Sequence, residues 1–409
     1  MNHFQLETEP RQNLSNGRFF VILAVALFLL FQLLVIRPIF AAQELEENTP
    51  KLLAVVTSDL HYARNGTALD TIVAGMAYAD EIIDALLAEV VALHPDVFIL
   101  TGDNTNGGDK EDMAVLAGKL EAVRDAGIQI IMTTGNHDFD KSTPAEFEEC
   151  YASLPEPADR DPASLSYTAI SGKFVFLAMD DSTFSSDRHG LFSDETMSWL
   201  EKMCRKYSGK ELIFLSHHNV LAGNGDEASW SYRIQNDGLP ELLRRYGVRL
   251  CLTGHLHSQM ILSDQGLYEI IIGMPYSGNH LIGMLEDTGS GLDYHAERID
   301  FEKYGDPAFA ESMADSEAQK GAQLRTSIGN LLEADGYTGD VKEGILDLFS
   351  DFFEQYQAGT IGAAAEAIKA SLYCEEMLKA LWGKNYGPWM ASVLEDPPAD
   401  ATWLFIPKV

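Results

Sequence analysis

The strongest constraint on this chain is a set of five apolar runs, each of which stops at residues able to bind a metal. The runs are Leu52–Val56, Val97–Leu100, Ile128–Met132, Leu212–Leu215 and Leu250–Leu252. Short, nearly continuous apolar runs mark strands covered on both faces. Between them, apolar residues recur at helical spacing over Ile72–Val91, Met113–Val123, Glu195–Tyr207 and Leu239–Tyr246. Strand and helix alternating at this pitch predict an α/β architecture with parallel strands. Phe174–Met179 reads as a further strand, and Met260–Leu262 and Tyr268–Ile272 as two more around a Gln-Gly turn.

In an open α/β sheet, function gathers where strands end. The five runs are followed by Ser58-Asp59-Leu60-His61, Gly102-Asp103-Asn104, Gly135-Asn136-His137-Asp138, Ser216-His217-His218 and Gly254-His255-Leu256-His257. Asp-x-His and His-x-His place two donors on one side of an extended strand end, because side chains alternate with period two. Glycines at 102, 135 and 254 let the backbone turn sharply beside such a site. A two-metal centre needs several N and O donors from separate segments and a carboxylate shared between the ions. Imidazole with carboxylate suits Zn, Fe(II) or Mn rather than Ca. The formal charge of −33, from 29 Lys+Arg against 62 Asp+Glu, argues against a nucleic-acid polymer as partner, since phosphate backbones need a basic footprint.

The ordered set DxH, GD, GNH(D/E), H, GHxH resembles the calcineurin-like metallophosphoesterase superfamily over about residues 52–300. The resemblance implies a four-layer α/β/β/α sandwich and two divalent ions, Mn, Fe or Zn. One ion is implied at Asp59, His61, Asp103 and His257, the other at Asp103, Asn136, His217 and His255, with Asp103 shared. His217 is preferred to His218 because the family's ligand directly follows its strand. The implied reaction is phosphoester hydrolysis, with hydroxide between the ions attacking phosphorus in line. His137 is implied as the non-ligand histidine serving the leaving oxygen, and Asp138 as the residue orienting it. A loop cap is the alternative reading of Asp138. Asn106 stands where purple acid phosphatases carry a tyrosine ligand, and no arginine follows Gly102-Asp103 as in Ser/Thr phosphatases. Gly190-Leu191-Phe192-Ser193 with Trp199-Leu200-Glu201 is similar to the cyclic-nucleotide-phosphodiesterase-like branch and its exported bacterial members. The implied substrate is a small phosphodiester or phosphomonoester. The competing expectation is a catalytically inactive, membrane-anchored binding module on the same fold.

Outside the motifs, Trp230, Tyr232 and Arg233 lie in a long loop, 219–238, expected to overhang the metals. His189, His280 and His295 read as cleft or loop histidines, and His94 as structural. Phe19–Ile36 is 18 residues without a charge, flanked by Arg11, Arg18 and Arg37. At about 1.5 Å per residue it spans a bilayer core, either as an anchor or as a signal segment ending near Ala41-Ala42. The basic flank predicts a cytoplasmic N-terminus with the rest of the chain outside the membrane, or secreted after cleavage. The expected organisation is 1–42 stub and apolar helix, 43–50 linker, 51–300 catalytic domain and 305–409 small helical domain. In the last, Ile345, Leu346, Leu348, Phe349, Phe352 and Phe353 form a helical stripe. That region reads as a lid packed on the core or as a docking surface. Cys150, Cys204, Cys251 and Cys374 read as isolated thiols, with disulfide pairing as the alternative.

Overall fold

The computed structural model describes residues 52–64, 78–184, 190–222, 233–276, 280–305, 307–384, 386–395, 397 and 400–408. The apolar run Phe19–Ile36, the 43–50 linker, His189, Trp230 and Tyr232 lie outside them. Among the described residues no helix is long and apolar enough to cross a membrane.

The five apolar runs are strands: β1 (Leu53–Thr57), β2 (Val97–Thr101), β3 (Gln129–Thr133), β7 (Glu211–Leu215) and β8 (Leu250–Thr253). Helices α1 (Ala79–Leu93) and α2 (Lys110–Asp125) make the crossovers between β1, β2 and β3. Then come α3 (Pro144–Tyr151), β4 (Asp159–Arg160), β5 (Tyr167–Ser171) and β6 (Phe174–Ala178). Helix α4 (Asp194–Lys206) leads into β7, and α5 (Leu239–Arg245) into β8. Strands β9 (Met260–Asp264), β10 (Leu267–Ile271), β11 (Leu281–Asp287) and β12 (Gly291–Arg298) follow. The turn between β9 and β10 is Gln265-Gly266, both at positive φ (47° and 83°), the geometry a two-residue hairpin favours.

The strands form two sheets, ordered β13-β12-β11-β1-β2-β3 and β4-β5-β6-β7-β8-β10-β9, where β13 is Trp403–Pro407 at the end of the chain. Strands β1, β2 and β3 are parallel, in the register Val55–Phe98–Ile130, as are β6, β7, β8 and β10. The remaining strands are antiparallel, so the sheets are mixed rather than wholly parallel. Period-two alternation explains why strands so apolar are needed. Ala54 and Val56 point between the sheets toward Phe176, Ile213, Leu252 and Ile270. Val55, Phe98 and Ile130 point the other way, under α1 and α2. On the second sheet Val175, Leu177 and Phe214 pack beneath α4 and α5. Helices, sheet, sheet, helices: each sheet is apolar on both faces because each face is covered.

After the short helix α6 (Phe301–Tyr304), five helices follow: α7 (Pro307–Ala334), α8 (Gly339–Gln357), α9 (Ile361–Lys369), α10 (Cys374–Leu381) and α11 (Gly387–Glu395). Ile345, Leu346, Phe349 and Phe352 of the expected stripe are buried with Met377, Leu381 and Met390 in a separate apolar cluster, while Leu348 packs at its edge. The region 305–409 is not purely helical. Its last segment, Trp-Leu-Phe-Ile-Pro, returns as β13 against β12, pairing Leu404 with Tyr294. All four cysteines are free thiols, with Cys204, Cys251 and Cys374 buried.

Candidate metal centre

The carboxyl ends of β1, β2 and β3 from one sheet and β7 and β8 from the other meet at one place. The chain leaves these strands in tight turns, and five candidate ligands carry left-handed backbone: Asp59 (φ 52°), His61 (38°), Asp103 (48°), His255 (70°) and His257 (54°). For residues with a Cβ this conformation is uncommon and strained, and such strain gathers at functional sites. Two glycines permit the crowding. A Cβ on Gly135 would lie 2.1 Å from the Asp103 amide nitrogen, and one on Gly254 would lie 1.8 Å from Ser58 Oγ.

Two groups of donors result. Asp59, His61, Asp103 and His257 place one ligand atom each within 4.8 Å of one another, and so do Asp103, His217 and His255. Asp103 belongs to both. His257 Nε2 is 3.3 Å from Asp59 Oδ1, and His61 Nε2 is 3.5 Å from Asp103 Oδ2 and 3.0 Å from His257 Nε2. His217 Nε2 stands 3.2 Å from Asp103 Oδ2 and 3.2 Å from His255 Nδ1. The His217 Nδ1–H donates to Thr101 O at 2.9 Å, so its Nε2 lone pair faces the carboxylate. Asp59, Asp103 and His217 are fully buried.

Lone pairs packed this closely need a cation. Asp59 Oδ1, Asp103 Oδ2 and Asn136 Oδ1 are each buried without a hydrogen-bond partner, a costly state unless something positive sits beside each. The titration behaviour says the same. Burial and then the neighbouring histidines act on Asp103 in opposite directions, and the histidines hold it well below the usual carboxylate range. Burial opposes a charge on His217, yet Asp103 pushes its imidazole up to about 10, the proton standing where a cation belongs. Burial drives His61 down to about 4 and His255 well below the ordinary imidazole range, which keeps both neutral and able to coordinate. The residues present therefore fit divalent cations held by N and O donors.

His217 sits in the donor group and His218 does not. The His218 Nδ1–H faces Asp181 Oδ1 at 3.0 Å, and its ring packs 4.3 Å from the His255 ring. Asp181 also accepts from the backbone amides of His217 and His218, at 3.1 and 2.8 Å. Asp181 follows β6, a strand end that sequence reasoning passed over.

The structure corrects the role expected for Asp138. Its carboxylate is fully buried and turned inward, accepting from the amides of Gly135 and Thr105 at 3.0 and 2.9 Å, from Thr105 Oγ1 at 3.1 Å and from Asn104 Nδ2 at 2.9 Å. Asp138 caps the loop. Burial and then the Asp103 charge push it up to about 6. The partner of His137 is Asp140, whose Oδ2 lies 3.1 Å from Nδ1. The cause is the 3₁₀ turn Asn136–Phe139: with three residues per turn, side chains at i and i+3 share a side. His137 is tied to the centre by its amide, which donates to Asp103 Oδ1 at 2.7 Å, and its ring centroid is 5.1 Å from that of His61.

His94, His280 and His295 are members of neither donor group. His280 is buried with Nδ1 toward Pro275 O, His295 is 3.2 Å from Glu297, and His94 is the left-handed cap of α1. Arg233 pairs with Asn219 at the neck of its loop.

The family model of the calcineurin-like phosphoesterases matches residues 52–259, just over half of the chain. A protein named probable cyclic nucleotide phosphodiesterase from Rhodococcus erythropolis is 28% identical over 219 residues, 53% of this chain and 69% of that one. A probable glycerophosphodiester phosphodiesterase from Arcobacter nitrofigilis is 30% identical over 165 residues, 40% of this chain and 57% of that one. Among solved structures, a dimetal phosphatase from Danio rerio superposes with a TM-score of 0.49 at 14% identity, covering 61% of this chain and 96% of that one. With the matched span running from β1 through the last of the clustered histidines, the chain belongs to the calcineurin-like phosphoesterases and is a hydrolase of phosphoester bonds.

Proposed function

We propose that the protein hydrolyses a small phosphodiester at a centre of two divalent cations, Mn, Fe or Zn, with Asp103 shared between them. The observation that carries this reading is the pair of donor groups joined at Asp103 together with the buried, unpartnered carboxylate oxygens of Asp59 and Asp103 within them. Asp59, His61 and His257 would complete one cation's shell, and Asn136, His217 and His255 the other's. Bound cations supply charge neutralisation on the phosphoryl oxygens and a nucleophile at neutral pH. This chain's residues do the rest. His137, about a third exposed beside the donor groups, hands its Nε2 proton to the leaving oxygen while Asp140 accepts the Nδ1–H and fixes the ring. Asp138 and Asn104 hold the loop that presents Asn136 and His137. Two relatives named as phosphodiesterases support a diester. With a net charge of −33, attraction for phosphate must come from the metals, which favours small substrates over polymers.

We further propose that Phe19–Ile36 holds the catalytic region at the outer side of a membrane, on the strength of its length and its arginine flanks. Turnover of bis-p-nitrophenyl phosphate against p-nitrophenyl phosphate, with Mn²⁺, Fe²⁺ and Zn²⁺ in turn, tests the function. Faster diester cleavage with about two ions per chain is expected. Two bound ions with no turnover of either ester would overturn hydrolysis in favour of a binding module.

A further inference from the structure

The family match ends at residue 259, but the chain continues to 409. Among the described residues, the added segment meets the chain just beyond the His255–His257 turn, at Gln259. Its amide donates to Gln357 O, at the end of α8, at 3.2 Å. Its side chain, 1% exposed, donates from Nε2 to Tyr294 Oη and to Ala401 O, each at 3.0 Å, and accepts from the Gly273 amide at 3.3 Å. Gly359, which follows α8 at φ +74°, packs so closely that a Cβ there would lie 2.8 Å from Gln259 O and 2.9 Å from Ala401 Cβ. The Ala401 amide closes the ring on Gly359 O at 2.9 Å. Beside it, Tyr356 Oη reaches Met260 Sδ at 3.5 Å.

Gln259 is two residues beyond His257. The turn between β8 and Gln259 carries two left-handed histidines, His255 at φ 70° and His257 at 54°. Left-handed backbone is strained for residues with a Cβ, and such residues persist only where their surroundings over-determine them. The near end of the turn is pinned by Gly254 N to His217 O at 3.0 Å and His255 N to Asp59 Oδ2 at 3.0 Å. Its far end is pinned at Gln259 by the C-terminal segment. We infer that the C-terminal helical segment braces the His255–His257 turn through Gln259 and Gly359, so that docking of the segment and cation binding are thermodynamically linked. Gln259 is thus a positioning residue. This rests on the reading of His255 and His257 as cation ligands.

Linkage of two binding equilibria is reciprocal, which gives the test two arms. In the first, Mn²⁺ affinity of the full chain is measured by calorimetry for wild type, Gly359→Ala and Gly336→Ala. Gly336 lies between α7 and α8 at φ +88° with nothing within 4 Å of a Cβ, so it carries the same backbone penalty without touching the turn. Gly359→Ala is expected to weaken Mn²⁺ binding roughly 10-fold or more, as loss of ligand-orienting contacts does, with Gly336→Ala close to wild type and both circular dichroism spectra unchanged. In the second arm, which needs no variant, Mn²⁺ is expected to slow hydrogen exchange at the Gln259 and Ala401 amides of the wild type. Equal affinities in the two variants, or exchange at those amides indifferent to Mn²⁺, would overturn the brace. A wild type that binds no Mn²⁺ would overturn the metal reading itself and the linkage with it.

Discussion

At Asp103 a single buried carboxylate oxygen, Oδ2, stands 3.5 Å from His61 Nε2 and 3.2 Å from His217 Nε2. Asp103→Asn keeps the shape and removes the charge, so both donor groups lose their common member. Metal analysis should find it with less than one ion per chain, and two ions retained would exclude the sharing. Next to it, Asp138 and Asp140, one and three positions after His137, behave differently for geometric reasons. His137→Ala is expected to keep its metals and lose roughly 10²–10⁴-fold in kcat, the usual worth of a positioned general acid. Asp140→Asn should follow with a smaller loss and an altered pH–rate profile, because it perturbs the imidazole through Nδ1. Asp138→Asn should leave the profile alone and lower stability, by about 1–3 kcal/mol for a disrupted buried acceptor, read as the shift in urea midpoint. The order of these three effects separates the 3₁₀-turn geometry from the adjacent-residue pairing that the motif suggested.

Among the elements, β10 carries the oddest residue. Glu269 is fully buried in an apolar strand and accepts from the amides of Val220 and Leu221 at 2.8 and 2.7 Å and from Thr253 Oγ1 at 2.8 Å. It ties the stem of the loop after β7 to the end of β8, the two segments that bring His217 and His255. Burial is the main influence on its carboxyl and pushes it from 4.5 up to about 7. Below 4.5 the group is protonated whether the chain is folded or not. Between 4.5 and about 7 the folded chain keeps a proton that the unfolded chain has released, so its contribution to stability is lost as pH rises through that window, by an amount of order 3 kcal/mol. Glu269→Gln cannot titrate, and the difference between its stability–pH curve and that of the wild type should show this slope. A constant offset across pH would refute the shifted carboxyl. In α8, Phe349 anchors the helical cluster at 0% exposure, and Phe349→Ala is expected to cost about 3–5 kcal/mol in chemical denaturation.

For the whole molecule, a metal that binds the folded chain alone must stabilise it by mass action. At a free concentration a hundred times the dissociation constant that amounts to about 2.7 kcal/mol. Removing metal with a chelator should therefore lower the melting temperature, and returning Mn²⁺ should restore it; an unchanged melting curve would mean the cluster of lone pairs is satisfied some other way. Much of this was legible beforehand. Buried strands are short and apolar, helices repeat at 3.6, and donors at strand ends stand out against both, because each pattern is written along the chain within a few residues. That local writing set the parallel strands, most of the helices between them and the metal-binding residue types at the strand ends, while the division of those residues into two groups came from the family resemblance and β5, β11, β12 and β13 were not read from the local pattern. What the chain could not show lay in relations between distant segments. Whether a carboxylate meets the neighbouring imidazole or the loop amides depends on how a single turn is wound. The return of Trp403–Pro407 to an edge strand, and the meeting of Gln259 with Gly359 and Ala401, join residues about 100 or more positions apart. Such contacts are decided by packing and by which buried donors find acceptors. These are properties of the folded arrangement, and no local pattern in the sequence carries them.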